Sequence, residues 1–315
     1  MPLNVSGPIS LAGATAGQSI AVELNQPASG VISLNDTNVR TLAGVPSGAI
    51  IMPTNFYGKS NRATINLTIS ANTYNYDVFA NRGPTYVPGT SDITVTVNPG
   101  VLVGGLNRTS YAMLVPSAFA AGDTVRIINN GSILGGGGGG GNGGTSQSPL
   151  GAPGATGGTS GGNAVFVNRP TTITNNGSIF SGGGGGGGGG GNIVTGGPPF
   201  QRQQIGYGGG GGGGGAGFNG GGGGSGGAGP APGGSNPGAP GGAGTTSGGG
   251  GGGASGAGGA GPGGPGGGLG AGGSAGTPAG APTSLGGGGG ATGFYIVGNP
   301  FVTWPATGSR GGNVG

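Results

Sequence analysis

Ten consecutive glycines, Gly182–Gly191, stand between Ser181 and Asn192, and pure glycine runs recur at 135–141, 208–215 and 248–253. A chain with no Cβ over such lengths has two options. It stays a random coil, or it builds something in which only bare backbone fits. Of the 97 glycines, 78 fall within 135–293, where the only charges are Arg169 and Arg202. That segment offers little apolar surface to bury, so an ordinary hydrophobic core is confined to roughly the first 130 residues.

Three features favour order over coil. The runs are pure glycine, whereas flexible linkers intersperse serine and charge. Both major runs begin directly after one repeated motif, and the breaks between runs are short and turn-like, as in "AGFN", "PAPGGSNPGAP" and "TPAGAPTSL". Bare glycine can adopt the left-handed threefold helix of polyproline II, whose N–H and C=O groups all point outward. Packed side by side, such rods satisfy each other's backbone groups. No Gly-X-Y register persists, which excludes a collagen triple helix. The expected body is a bundle made within one chain.

The repeated motif is "TVRIINNGSILGGGG" from Thr124 and "TTITNNGSIFSGGGG" from Thr171, with Asn129–Ile133 and Asn175–Ile179 46 residues apart. A strand and a proline corner precede each ("YAMLVP", "AVFVNRP"), and "GFYIVGNPFVTW" is a degenerate third copy. Each unit reads as strand, corner, strand and Asn-Gly turn, and the three units (111–134, 164–180, 294–304) are expected to stack into a β platform bearing the rods. Within 63–110, "ATINLTIS", "NYDVFA" and "DITVTVNPGVLVG" alternate apolar and polar residues, which predicts an antiparallel β layer. In residues 1–62, "SLNDTNVRTLAG" predicts a two-turn helix capped by Ser33 or Asn35 and stopped by Gly44. "VPSGAIIMPTNFYGKS" then predicts a strand and a docked loop. The fold class expected is mainly β, in three parts: an N-terminal region over 1–62, the antiparallel domain over 63–110 and the glycine-rich domain over 111–315.

Composition also excludes functions. There is no cysteine and no histidine, which removes thiol chemistry and the commonest general base and metal ligand. The nine Lys and Arg are scattered and form no phosphate-binding stripe, so the +4 net charge does not imply nucleic acid. Matches to G-x-G-x-x-G are inevitable inside polyglycine and carry no weight. Of the five acids, Asp36, Asp77, Asp92 and Asp123 fit no calcium loop, and turn or capping roles are expected for them. No enzyme activity, cofactor or metal is expected. No apolar run reaches the length that spans a bilayer. The start "MPLNVSGPIS" has no signal-peptide pattern, so a protein made and assembled in the cytosol, or delivered by a machine, is expected. Tyr295 and Trp304 are expected to be core of the last strand pair rather than ligand stackers.

"LNDTNVRTLAGVPSGAIIMPTNFYGKS", "NYDVFA … DITVTVNPGVLVGG" and "DTVRIINNGSILGGGG" together resemble a module of bacteriophage tail fibre and tail-tip proteins. The glycine-rich part is similar to the receptor-recognising tip adhesins of T-even-type phages, whose glycine motifs form packed polyglycine II helices. The resemblance implies a virion protein of the tail fibre or tail tip. It also implies partners among other tail or baseplate proteins through the N-terminal region, and a bacterial surface receptor, polysaccharide or outer-membrane protein. The longer N-terminal portion and the sparse aromatic and charged residues between glycine motifs depart from those adhesins. Tail fibres are commonly homotrimers, while an intrachain bundle needs no partner. The competing reading is a purely structural tail component without host contact, and a secreted glycine-rich wall or ice-surface protein is a third.

With rods running up and down from the platform, the connections alternate between a near and a far end. The far connection 192–207 gathers Phe200, Gln201, Arg202, Gln203, Gln204 and Tyr207, the one place in the central half with bulky, hydrogen-bonding and charged side chains together. These six are the candidate receptor-binding residues, since aromatic and Arg anchors dominate small interfaces and Gln amides pair donors with acceptors.

Overall fold

The structure is a computed structural model that describes residues 2–145, 154–196, 203–229, 236–256, 258–280 and 285–315. The protein is mainly β, with two short α-helices. It divides into two compact units that do not follow the three-part division of the sequence. One comprises residues 1–65, 83–93 and 120–123, and the other holds the remainder.

The first unit is built on α1 (Ile20–Glu23) and α2 (Thr37–Ala43). Leu3, Ile20, Leu24, Val39, Leu42, Ala43 and Phe56 form its apolar core. The helix expected over 33–44 is present, but Asp36 is its N-cap rather than Ser33 or Asn35. Asp36 Oδ2 instead accepts from Ser33 N–H at 2.8 Å, closing the turn before the helix. Gly44 ends it in the left-handed region at φ 70°, where glycine has no Cβ penalty. No strand forms in 45–60; a single tight helical turn at Thr54–Phe56 seats Phe56 in the core instead. A second anchor is Arg62, whose Nε lies 2.8 Å from both oxygens of Asp92. Its Nη2 donates to the carbonyls of both Ser91 and Gly122. The hydrogen bond to Asp92 raises the guanidinium pKa further.

The remaining strands wind as a parallel β-solenoid of five rungs, each rung placing one strand in each of three sheets. The first rung is β1 (Ala63–Ile69), β2 (Thr73–Tyr74) and β3 (Tyr76–Asp77). The second is β4 (Ser91–Val97), β5 (Leu102–Gly104) and β6 (Met113–Val115), and the third is β7 (Thr124–Asn129), β8 (Ser132–Leu134) and β9 (Val165–Val167). In the fourth, β10 (Thr171–Asn175) and β11 (Ser178–Phe180) are followed by the hairpin β12 (Asn192–Gly196) and β13 (Gln203–Tyr207) before β14 (Phe294–Val297) completes the rung. The fifth is β15 (Val302–Ala306), β16 (Ser309–Gly311) and β17 (Asn313–Val314).

Residues 63–110 therefore do not form the expected antiparallel layer. β2 pairs β5 and β3 pairs β6, both in parallel. Two-face alternation reports burial of one face and says nothing of the partner's direction. The 46-residue repeat is one rung lying on the next. Asn129 Nδ2 donates to Asn175 Oδ1 at 2.8 Å, Asn176 Nδ2 to Asn130 Oδ1 at 2.9 Å and Ser178 Oγ to Ser132 Oγ at 2.8 Å. Inside, Val103, Ile133 and Ile179 form one fully buried column.

Both glycine excursions leave this solenoid at the same corner, between the second and third sheets: after β8 in the third rung and after β11 in the fourth. They comprise ten extended segments: 135–144, 156–162, 182–190, 208–216, 220–227, 238–245, 249–256, 261–267, 271–277 and 286–293. Segment 182–190 is bonded to six others. Its N–H groups donate in strict rotation: 182, 185 and 188 to the carbonyls of 162, 159 and 156; 183, 186 and 189 to those of 216, 213 and 210; 184, 187 and 190 to those of 271, 274 and 277. All nine bonds span 2.8–3.0 Å. Its carbonyls accept in the same rotation from segments 138–144, 261–267 and 287–293. Segment 208–216 is likewise surrounded by six. Residues 181–192 and 208–217 are all buried. A repeat of three directions for donors and three for acceptors is what a threefold helix provides and a two-sided strand does not.

The far end of the glycine segments

Pairing directions alternate along the chain, so the connections fall at two ends. Segments 138–144 and 271–277 run parallel to 182–190, while 156–162, 210–216 and 261–267 run against it. The near-end connection 217–219 docks on the solenoid. The Phe218 ring lies against Gly104, closer than a Cβ there would allow, and Asn219 Nδ2 donates to the Leu106 carbonyl at 3.1 Å. The far-end connections are 145–155, 191–207, 228–237, 257–260 and 278–285. Segment 238–245 already begins beyond Asn236, whose carbonyl receives Gly208 N–H, so Pro240 belongs to a segment and not to the turn expected over 230–240.

The longest far-end connection is a hairpin. β12 and β13 pair antiparallel, with Asn192 opposite Tyr207, Val194 opposite Ile205 and Gly196 opposite Gln203. Two contacts fix its base. Asn192 Nδ2 donates to the Gly258 carbonyl at 2.7 Å. The Tyr207 ring covers Gly258, where a Cβ would overlap it and where φ of +77° independently favours glycine. The hairpin is thereby held on the neighbouring turn. Of the six candidate receptor residues, Phe200, Gln201 and Arg202 lie outside the described residues. Gln203 and Gln204 lie on β13, opposite Gly196 and Thr195. Tyr207 sits at the base, half-buried, where its ring anchors the hairpin.

Val194 and Ile205 were not among the expected residues. They form a cross-strand pair, 41% and 40% exposed, and Leu285 on another far-end connection is 75% exposed. β-branched residues side by side in a strand pair ordinarily face a core; here they face outward. The available signal was the pair of short apolar stretches "NIV" and "QIGY" around a proline-containing turn, which reads as a hairpin.

The five carboxylates are elsewhere and occupied. Glu23 accepts from Ser60 and Asn61, Asp77 from the N–H groups of Phe79 and Ala80, and Asp123 from the Tyr86 hydroxyl and Ser91 N–H. With Asp36 in its turn and Asp92 on Arg62, each has a structural partner. Among the described residues no three His, Cys, Asp or Glu side chains gather as a metal site, and no helix is long and apolar enough to cross a membrane.

The model of a family described as phage tail fibre adhesin Gp38 matches residues 62–206. Among solved structures, the crystal structure of the gp37–gp38 adhesin tip complex of the bacteriophage S16 long tail fibre is similar. It shares 19% identity over 96% of this chain and 99% of that chain, with a TM-score of 0.44. No curated protein matches. The resemblance seen in the sequence thus has a family behind it: from the first rung through the far-end hairpin, this chain is similar to the phage tail fibre adhesins.

Proposed function

We propose that this protein is a tail-fibre adhesin of a phage virion, whose glycine segments are polyglycine II helices that hold recognition loops at their far end against a receptor on the bacterial surface. The observation that carries this reading is the six-neighbour bonding of segments 182–190 and 208–216, which supplies a stiff support made of backbone alone. A support without side chains recognises nothing. Recognition then falls to the far-end connections, and the stretch 192–207 has the richest chemistry: Val194 and Ile205 exposed on the hairpin strands, Gln203 and Gln204 on β13, and Phe200, Gln201 and Arg202 preceding them in sequence. Tyr207 acts in this scheme as the fixed base, so that little ordering entropy is lost on binding. The receptor is an outer-membrane protein or surface polysaccharide. The first unit joins the adhesin to other tail proteins, and no catalytic step is involved.

Labelled full-length protein mixed with host cells tests the reading. Wild type should bind saturably. Replacing Phe200 and Arg202, or Val194 and Ile205, by alanine pairs should weaken binding at least tenfold while leaving thermal unfolding unchanged. Saturable binding untouched by both pairs would reject the hairpin, and absence of saturable wild-type binding would leave a purely structural tail component.

A further inference from the structure

The last rung of the solenoid departs from the others in its interior. The column Val103, Ile133 and Ile179 is continued in register by Arg310. The three apolar members are completely buried; Arg310 is half-buried. Its guanidinium carbon lies 4.7 Å from the centre of the Trp304 ring and 5.3 Å from that of Tyr295. Those rings are 6.4 Å apart, and Trp304 Nε1 donates to Asn299 Oδ1 at 3.0 Å. Every Asp and Glu of the chain lies at or before Asp123 and accepts bonds there, and the Arg310 guanidinium lies over the two aromatic faces. Arg over aromatic rings is a stable arrangement at a partly wet site.

β15, β16 and β17 are each the edge strand of their sheet. Such an end is a template: three parallel edges and an apolar bore would accept a further rung from another molecule. Besides the inward Arg310, two other features oppose that. Pro305 stands in β15 and has no N–H to donate to a ladder. The register of β15 on β10 and of β17 on β14 is broken by irregularities. Inward charge, edge proline and bulging are each known ways of blunting a β edge, and here they converge on one rung.

We infer that the Arg310–Trp304–Tyr295 cluster, with Pro305, closes this end of the solenoid against a second copy of the same chain. Two such ends meeting would bury two guanidinium groups facing each other, with no Asp or Glu side chain of the rung to neutralise them. The inference does not depend on what the far-end hairpin binds.

Sedimentation of the full chain over a range of concentrations, with far-UV circular dichroism to verify folding, tests this. Wild type and Arg310→Lys should show the same average mass dependence. Arg310→Ile should self-associate at least tenfold more tightly, and Pro305→Val should add to it. Adding Thr303→Lys, on the exposed side of β15, should reverse the gain. A folded Arg310→Ile, Pro305→Val double variant that behaves like wild type would overturn the inference. Should Arg310→Ile fail to fold, Pro305→Val alone must raise the average mass with concentration, and its failure to do so would equally overturn it.

Discussion

At the scale of single residues, glycine is used by phase. In segments 182–190 and 208–216 every direction is occupied by another backbone. A Cβ on Gly186 would meet the Gly264 carbonyl, and one on Gly212 would meet that of Gly186. At the margins one phase in three is free, and side chains collect there. In 261–267 the N–H groups of 261, 264 and 267 and of 263 and 266 all donate to other segments; the unused phase holds Pro262 and Pro265, which have no N–H to leave unpaired. In 238–245 the unused phase holds Pro240 and Ala243. Nothing lies within 4 Å of the place where a Cβ on Gly222 would stand. Gly186→Ala should therefore destabilise the protein by about 3 kcal/mol or more, the range of severe overpacking. Gly222→Ala should stay within about 0.5 kcal/mol of wild type. Thermal unfolding of the two variants compares them directly; equal effects would contradict phase-specific packing.

At the scale of elements, what holds rung to rung is a polar ladder beside an apolar column. Asn175 is 1% exposed, accepts from Asn129 and donates to the Thr307 carbonyl at 2.7 Å. Asn175→Ala removes both bonds and takes an acceptor from the amide of Asn129, which is fully buried, for an expected loss of about 2 kcal/mol in denaturant unfolding. A loss under about 0.5 kcal/mol would mean that water replaces the ladder. Much of this was legible beforehand. The Asn-Asn-Gly-Ser-Ile spacing marked the stacked units because each Asn and Ser must meet its own kind one rung away. The first two rungs were not recognised as the same solenoid. Their corners read Ser70-Ala71-Asn72 and Asn98-Pro99-Gly100 instead of Asn-Asn-Gly, and β2 and β3 of the first rung are two residues long, too short to show a period. Strand direction was illegible for a deeper reason, since alternation in Ile65, Leu67 and Ile69 is the same whichever way the neighbour runs. In the far-end hairpin, Val194 and Ile205 escape a sequence reading because apolar strand residues normally mark a buried face, and nothing in the sequence reveals that the Tyr207 ring rests on Gly258.

At the scale of the whole chain, two kinds of order are joined. The solenoid is stabilised by burial of apolar side chains. The glycine region buries almost none, and must offset the large conformational entropy of glycine with paired backbone groups and close packing. Its ends help: Leu134 and Phe180, where the two excursions leave, pair on neighbouring strands, and Ala164 N–H donates to the Phe294 carbonyl where they return, which shortens the search for the bundled state. Glycine content alone does not distinguish this from a coil, but the period of its protection does. Residue-resolved amide hydrogen exchange on the full chain is the most direct measurement. Slow exchange is predicted at every position from 182 to 190, and at 221, 224 and 227 but not at 222, 223 or 226. Exchange at free-peptide rates throughout 182–190, or protection at every second residue, would contradict the threefold bonding on which the account stands.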